Sequence, residues 1–563
     1  MSSSSSRTST FLTVAGVTVL GGFLAYAVYF DYKRRHDAEF RKKLRKDKKR
    51  AEKATTSSAG AAPLSTGARD EELKAALAKI RAEPLPEGTG GKEQYFMAQA
   101  SLGEQLCTQG PAFAVPAALA FYRALRVYPS PVELIMLYQS SLPPEVFAII
   151  LQLTNLDVTE RAEGYYNHFP ARSWNVRVED KNGKKVLVAA KDFEKGDVIY
   201  KEKPVVAALD WDLLEQGSHC AFCLKLVHKV SEYRPEHDRL NTVYCSRDCY
   251  DEAKQQYHGI LFTLDPLVPP ELDPDSAGAP PEEREKAQNA FVEYLKSNKK
   301  LANFLVAKFV ALQILIETSK VIPGSVNPSK DLPKYIEEDA PEYGIGDHLE
   351  RLRFLDATVT PEENETLRKV FGTALPGLDG SLTDDRYATT LGKMLYNAIG
   401  ICYSGGRDDR PQFAERPEDQ ERTRTPYGTS RQVGSGLFLV SSYLQHSCDP
   451  SVRPSFTAGN HKLSLIATRA IKAGEELSMA YVDVTQHEGE SAEEARRRRR
   501  YELARGWRFK CECTRCTAEL ASAAAPEADL GVTGDESKIE DAAARYEAKK
   551  AEAGEQKEET ETD

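Results

Sequence analysis

The sequence predicts a multidomain chain in three successive parts: a single transmembrane helix, an all-α bundle, and an α+β unit carrying two cysteine-rich zinc segments. Three observations predict it. Residues 11 to 30, FLTVAGVTVLGGFLAYAVYF, carry no charge and at about 1.5 Å per residue reach across a bilayer core. Helical patterning cut by Pro and Gly fills residues 70 to 157, whereas Val-rich alternating runs enter from residue 172. Eight of the ten Cys fall into two groups, which suits metal ligation better than scattered thiols would.

The 563 residues allow three or four folded units at roughly 150 residues each. With 41% hydrophobic and 28% charged residues and ten Cys, a secreted disulfide scaffold is excluded and the thiols are expected in a reducing compartment. Lys plus Arg number 75 against 85 Asp plus Glu, a net charge of −10, so no nucleic-acid partner is expected.

After a short polar N-terminus, residues 1–10, the span 11–30 reads as a retained anchor in the lipid bilayer. A cleaved signal peptide would have a shorter apolar run behind a basic leader, and here only Arg7 precedes it. From Lys33 to Lys53 there are twelve Lys and Arg against four acids; such flanks stay on the cytosolic side, so the bulk of the chain should face the cytosol. Residues 31–69 are basic flank and flexible linker, ending in TTSSAGAAPLSTG. Helices are expected at about Gln94–Cys107, Ala117–Val127, Val132–Ser141 and Pro144–Leu153. Leu102-Gly103, Ala117-x3-Phe121, Ala124 and Pro129 follow the small-and-large pattern of one tetratricopeptide-like helix pair. One pair cannot bury both its faces, so a groove is expected, lined by Phe96, Met97, Ala100, Leu134, Leu137, Tyr138 and Ser141. Core packing is the alternative for each. Such a groove accepts the apolar face of an amphipathic helix.

AYAVYFDYKRRHDAEFRKKLRKDKKR, EQYFMAQASLGEQL and ALAFYRALRVYPSPVELIMLYQSSLPPEVF together resemble the small presequence receptor of the mitochondrial outer-membrane translocase, the TOM complex, in its fungal form. The resemblance implies that the groove binds mitochondrial precursor presequences and passes them to other translocase subunits, from the outer membrane. Presequences are Arg-rich, so Glu93, Glu104 and Glu133 are candidates to face their basic side, with solvated helix surface as the alternative.

Strands are expected over 172–208, broken at Asn182-Gly183 and Lys195-Gly196, then a loop at 265–285, helices over 286–318 and short strands over 431–484. Residues 518–563 read as an acidic, disordered tail. Cys220-x2-Cys223 and Cys245-x3-Cys249 supply four thiolates for one structural Zn²⁺. Cys511-x-Cys513-x2-Cys516 lacks a fourth ligand, for which Cys448 is the obvious donor. HCAFC with YCSRDCYDEAKQQYH resembles a MYND finger keeping one of its two zinc sets; His258 is read as an ordinary histidine. GSGLFLVSSYLQHSCDP, AGEELSMAYVDV and RGWRFKCECTRC resemble the SET core and post-SET segment of lysine methyltransferases. This unit covers 172–517, with the MYND-like zinc insertion at about 220–258 and a helical insertion at about 286–403.

The SET resemblance implies S-adenosyl-L-methionine as cofactor, Tyr481 as active-site tyrosine, Gln445 and His446 beside the adenosine, and Gly434 and Gly436 at close backbone approach on that face. Three departures stand out: Gln445 where the family usually has Asn, a lone Gly183 in EDKNGKKVLVAAKDF, and the half-filled finger. The expected function is therefore an import receptor with an appended SET domain. Two alternatives remain, a membrane-anchored protein-lysine methyltransferase whose bundle recruits substrates, or an inactive SET scaffold.

Overall fold

The computed structural model describes residues 66–521, apart from 87, 129–130, 267–278, 322–326, 338–342, 375–377, 412–420 and 429–430. The expected anchor, its basic flank and nearly all of the tail lie outside the described residues. The chain divides into two compact units, one built on the residues up to Asn167 and one on most of the rest.

The first unit is helical: α1 (Thr66–Ala82), α2 (Gly88–Thr108), α3 (Ala114–Val127), α4 (Pro131–Ser141) and α5 (Pro144–His168). α1 was not expected, although Leu73, Leu77 and Ile80 recur at helical spacing and enter the core with Phe121, Tyr122, Ile149, Ile150 and Leu153. α5 runs well past Leu153, because no Pro interrupts the chain before Pro170 and its extension is clamped to α1. Arg81 Nε donates to Asp157 Oδ1 at 2.7 Å and Arg81 Nη1 to Glu160 Oε2 at 2.8 Å. Tyr122 of α3 donates its hydroxyl to Asp157 Oδ2 at 2.7 Å. α2 and α3 touch where Gly103 meets Phe121; a Cβ on Gly103 would lie 2.7 Å from a ring carbon.

In the second unit β1 (Val176–Lys181) and β2 (Lys184–Ala189) form an antiparallel hairpin. Its turn residues Asn182 and Gly183 both take positive φ, 55° and 77°, the conformation for which Asn-Gly is suited. β3 (Val198–Glu202) pairs with β9 (Leu463–Ala467), itself paired with β8 (Val452–Ser455). β4 (Val206–Leu209) pairs with β6 (Gly434–Leu437), whose other edge takes β5 (Ile399–Ile401). The short β7 (Gln445–His446) and β10 (Ser478–Met479) run parallel. Helices of this unit include α6 (Trp211–Gln216), α7 (Arg247–Ala253), α8 (Gly259–Phe262), α9 (Pro281–Asn298), α10 (Leu301–Val321), α11 (Ile345–Glu350), α12 (Pro361–Ala374), α13 (Asp384–Asn397), α14 (Ala492–Trp507) and α15 (Thr514–Ala521).

Among the described residues, Leu301–Ser319 of α10 is long and apolar enough to cross a membrane by length and composition. Most of it is buried, and a helix apolar on all sides inside a folded unit is a core helix. Replacing Gly103 by Val should force α2 away from Phe121 and destabilise the first unit by about 1–3 kcal/mol, read as faster amide exchange in α2 and α3.

Candidate functional site

Cys220, Cys223, Cys245 and Cys249 bring their sulfurs within 4.8 Å of one another. The first pair sits on a tight turn in which Leu224 takes φ 64° and its N–H returns to Cys220 O at 2.9 Å. Ser246 caps α7 by accepting from Cys249 N, which fixes the second pair. Cys223 and Cys245, and Cys245 and Cys249, are each 3.6 Å apart at sulfur. A tetrahedron of thiolates about 2.3 Å from one zinc has edges of about 3.8 Å, so the donor set fits that ion. Nearby, His258 is a buried core histidine. Its Nδ1 lies 3.0 Å from Tyr244 Oη and its Nε2 3.1 Å from Asp238 Oδ1, among the rings of Tyr244, Tyr250 and Phe262. Burial raises the Asp238 carboxyl, but bonds from His258 and Thr242 outweigh it and hold the group at about 2.

Cys448, Cys511, Cys513 and Cys516 form the second convergent set. Cys448 lies 3.5 Å from Cys516 and 3.9 Å from Cys511 at sulfur, again bracketing the edge of a zinc tetrathiolate. Cys448 comes from just beyond β7, and the other three from the connection between α14 and the start of α15. Arg515 fastens them together, donating from Nη1 to Cys448 O at 3.1 Å and to Val484 O at 2.9 Å.

β7 and β10 pair Gln445 with Ser478 and His446 with Met479, which brings Tyr481 against the chain at Leu444. Tyr481 is buried and its hydroxyl donates to Leu444 O at 2.5 Å. Burial pushes that hydroxyl up, and the Arg424 guanidinium, 4.4 Å from the ring centroid, works against the shift. Arg424 is itself buried, with Nε on Tyr396 O, Nη1 on Ser442 O and Nη2 on Asn397 Oδ1. His446 Nδ1 accepts from Tyr481 N at 3.1 Å; burial draws the ring down to about 4, so it is neutral. Gln445 accepts from Arg353 Nη1 at 3.0 Å and donates to Tyr443 O at 3.0 Å. Arg353 Nη2 is buried without a hydrogen-bond partner among the described residues.

Gly434 and Gly436, expected at close backbone approach on the cofactor side, are buried. Both lie within β6, the middle strand of its sheet, where a Cβ on Gly434 would collide with Ala208 O and one on Gly436 would lie 3.1 Å from Pro204 Cβ. Their smallness admits β4 and the residues leading into it. On the first unit the expected groove residues divide. Met97 and Leu137 are 62% and 58% exposed, but Leu134 and Tyr138 are 3% and 4% exposed and belong to the core. Their separation of four places both on the inward side of α4. Phe96 and Ala100 are half-buried and Ser141 is exposed, its hydroxyl bonded back to Leu137 O. The structure adds Leu102 and Met136 to the exposed apolar residues. Glu93 and Glu104 are exposed on α2, and the Glu133 side chain lies outside the described residues.

The sequence model of the MAS20 protein import receptor matches residues 12–167, and that of the SET domain matches residues 184–482. The mitochondrial import receptor subunit tom20 of Neurospora crassa is 39% identical over 152 residues, 27% of this chain and 82% of that protein. The protein-lysine N-trimethyltransferase SMYD5 of Mus musculus is 26% identical over 420 residues, 64% of this chain and 89% of that protein. The histone-lysine N-methyltransferase SET5 of Saccharomyces cerevisiae is 24% identical over 356 residues, 61% of this chain and 60% of that protein. The chain belongs to both families.

A MAS20 receptor domain is thus joined in one polypeptide to a SET domain of methyltransferase kind. In the SET half, Arg353, Arg424 and Glu202 carry the site with no local signal in the sequence, since each acts on residues far along the chain. Glu202 holds the turn Ser441–Tyr443 that leads to Leu444, accepting from Val440 N at 2.8 Å, Ser441 N at 3.0 Å and Ser441 Oγ at 2.7 Å. Burial, opposed by these bonds, raises its carboxyl to about 7. A carboxyl raised in the folded state binds its proton more tightly there than in the unfolded chain. Its contribution should be full below the ordinary value of about 4.3 and fade as pH climbs through about 7. Denaturation midpoints of the SET half should show that decline in wild type, and Glu202→Gln should lack this component.

Proposed function

We propose that the chain is an import receptor of the mitochondrial outer membrane, anchored by residues 11–30 and facing the cytosol, whose SET domain is an S-adenosylmethionine-dependent protein-lysine methyltransferase. The receptor domain is assigned to residues 70–157, tetratricopeptide-like in its α2–α3 pair, with α5 continuing it. The SET domain is assigned to residues 172–517, with a one-zinc MYND-like finger at about 220–258 and a helical insertion at about 286–403. The observation carrying the receptor reading is the exposed apolar set Met97, Leu102, Met136 and Leu137 on α2 and α4. Flexible thioethers and Leu suit many amphipathic helices of differing sequence. Glu93 and Glu104 on α2 favour ligands with a basic polar side. Precursor presequences have that character, and the other translocase subunits would receive them.

For the SET half, the carrying observation is Tyr481 held against Leu444 O beside the second thiolate set. When bound, S-adenosylmethionine supplies an electrophilic methyl group. The donor set fits such a ligand: Arg353 Nη2, buried and unpartnered among the described residues beside Gln445, offers a donor to its carboxylate, and Leu444 O and the Tyr481 oxygen offer acceptors around the methyl. Since the Tyr481 hydroxyl spends its hydrogen on Leu444 O, its oxygen presents lone pairs that can orient a substrate amine. That amine must be neutral, although free lysine has a pKa near about 10.4. Arg424, a fixed cation under Tyr481, opposes a second positive charge there, so the ammonium proton leaves to water before transfer. Two Zn²⁺ are assigned structural roles, one to each thiolate set.

Calorimetric titration of S-adenosylmethionine into the zinc-loaded chain should give a Kd near micromolar, about 8 kcal/mol. Absence of binding would leave the SET half a scaffold. Tyr481→Phe should lower lysine methylation of precursor proteins by about 100-fold or more while cofactor still binds. Leu137→Asp should weaken presequence-peptide binding about 30-fold or more, as loss of a central apolar contact costs roughly 2 kcal/mol; unchanged peptide affinity would remove α4 from the binding face.

A further inference from the structure

We infer that His446 is a positioning residue whose ring joins the Cys448 metal set to Tyr481, donating to the Cys448 sulfur from Nε2 and accepting the Tyr481 N–H at Nδ1. The tautomer follows from geometry. A backbone N–H can only donate, so Nδ1, 3.1 Å from Tyr481 N, carries no hydrogen, and in the imidazole ring the hydrogen must then sit on Nε2. Nε2 lies 3.3 Å from Cys448 Sγ. The sulfur is therefore the acceptor, a role suited to a metal-bound thiolate and poorly to a free thiol.

A second donor makes the same demand. The Arg499 side chain is wholly buried and gives Nη2 to Glu519 Oε2 at 2.5 Å, leaving Nε and Nη1 without a conventional partner among the described residues. Besides Glu519, Cys448 and Cys516 are among its electrostatic partners. Two N–H donors on separate elements thus face one thiolate set, as befits four thiolates on a divalent ion, whose net charge is negative. Both ring nitrogens of His446 are then occupied, and an adenosine contact at this residue falls to its backbone. The inference rests on the methyltransferase reading only in that Tyr481 is the residue positioned.

Two variants separate the two bonds. In His446→Gln the amide nitrogen can replace Nε2 as donor while the acceptor at the Nδ1 position is lost. In His446→Asn the side-chain oxygen can replace Nδ1 while the donor is lost. Full-length chain in detergent, loaded with zinc, is challenged with a chelator, and exchange of the Tyr481 amide is followed alongside. One zinc should leave H446N about 10- to 100-fold faster than wild type with the Tyr481 amide still protected. H446Q should hold zinc near the wild-type rate while that amide exchanges faster. Wild-type zinc release in both variants overturns the inference, as does equal acceleration in both, which would mark a packing role. Failure of wild type to bind S-adenosylmethionine would sink the methyltransferase reading and leave these zinc and exchange results standing.

Discussion

Two residues of parallel pairing, Ser478 against Gln445 and Met479 against His446, bring together Tyr481, Leu444 and Cys448 in the SET half. Parallel neighbours need a long crossover, and here the crossover contains β8 and β9. Laid side by side, the strands bring Tyr481 to Leu444 O and let Ser447 N reach Met479 O at 3.1 Å. They also aim Cys448 at cysteines more than sixty residues later. So short a ladder contributes little by itself. It depends on Glu202 fixing the turn before β7 and on Thr425 N donating to Tyr481 O after β10.

The same unit buries cations where most cores bury hydrocarbon. Arg424 lies between the Tyr396 and Tyr481 rings with three oxygen acceptors. Lys308, in the middle of the apolar α10, donates to Ala207 O at 2.7 Å and Tyr257 Oη at 3.2 Å. Its nitrogen stands 4.3 and 4.4 Å from the Tyr257 and Phe304 ring centroids. Burial draws Lys308 down to about 7. Desolvating such groups is costly, and they persist only where oxygens and π-faces replace water.

What the sequence discloses here is whatever is encoded by short spacing. The two cysteine sets, the Asn182-Gly183 turn and the contact of Gly103 with Phe121 are each written within a few residues or carried by a residue type with one plain use. The inward turn of Leu134 and Tyr138 is not, because apolar residues on both sides of α4 leave its phase ambiguous, and only packing against Phe121 and Ile149 decides it. Gly434 and Gly436 invite a ligand-facing reading, yet a glycine equally serves a neighbouring strand. Arg353 and Arg424 are invisible beforehand, since an Arg among 75 basic residues gives no sign that its partners lie dozens of positions away.

The two thiolate sets differ in how much chain each must close. The first is complete once Cys249 has been made, 29 residues after Cys220, and can take its ion while most of the fold is still unsynthesised. The second waits from Cys448 until Cys516, roughly 3–14 s of further synthesis at about 5–20 residues per second. Until then the set that Cys448 begins is incomplete. The proposed anchor, residues 11–30, and the receptor helices emerge long before that point. On the proposed reading as an anchored receptor, a nascent chain is held at the organelle surface while its SET half is unfinished, and that half matures beside the membrane.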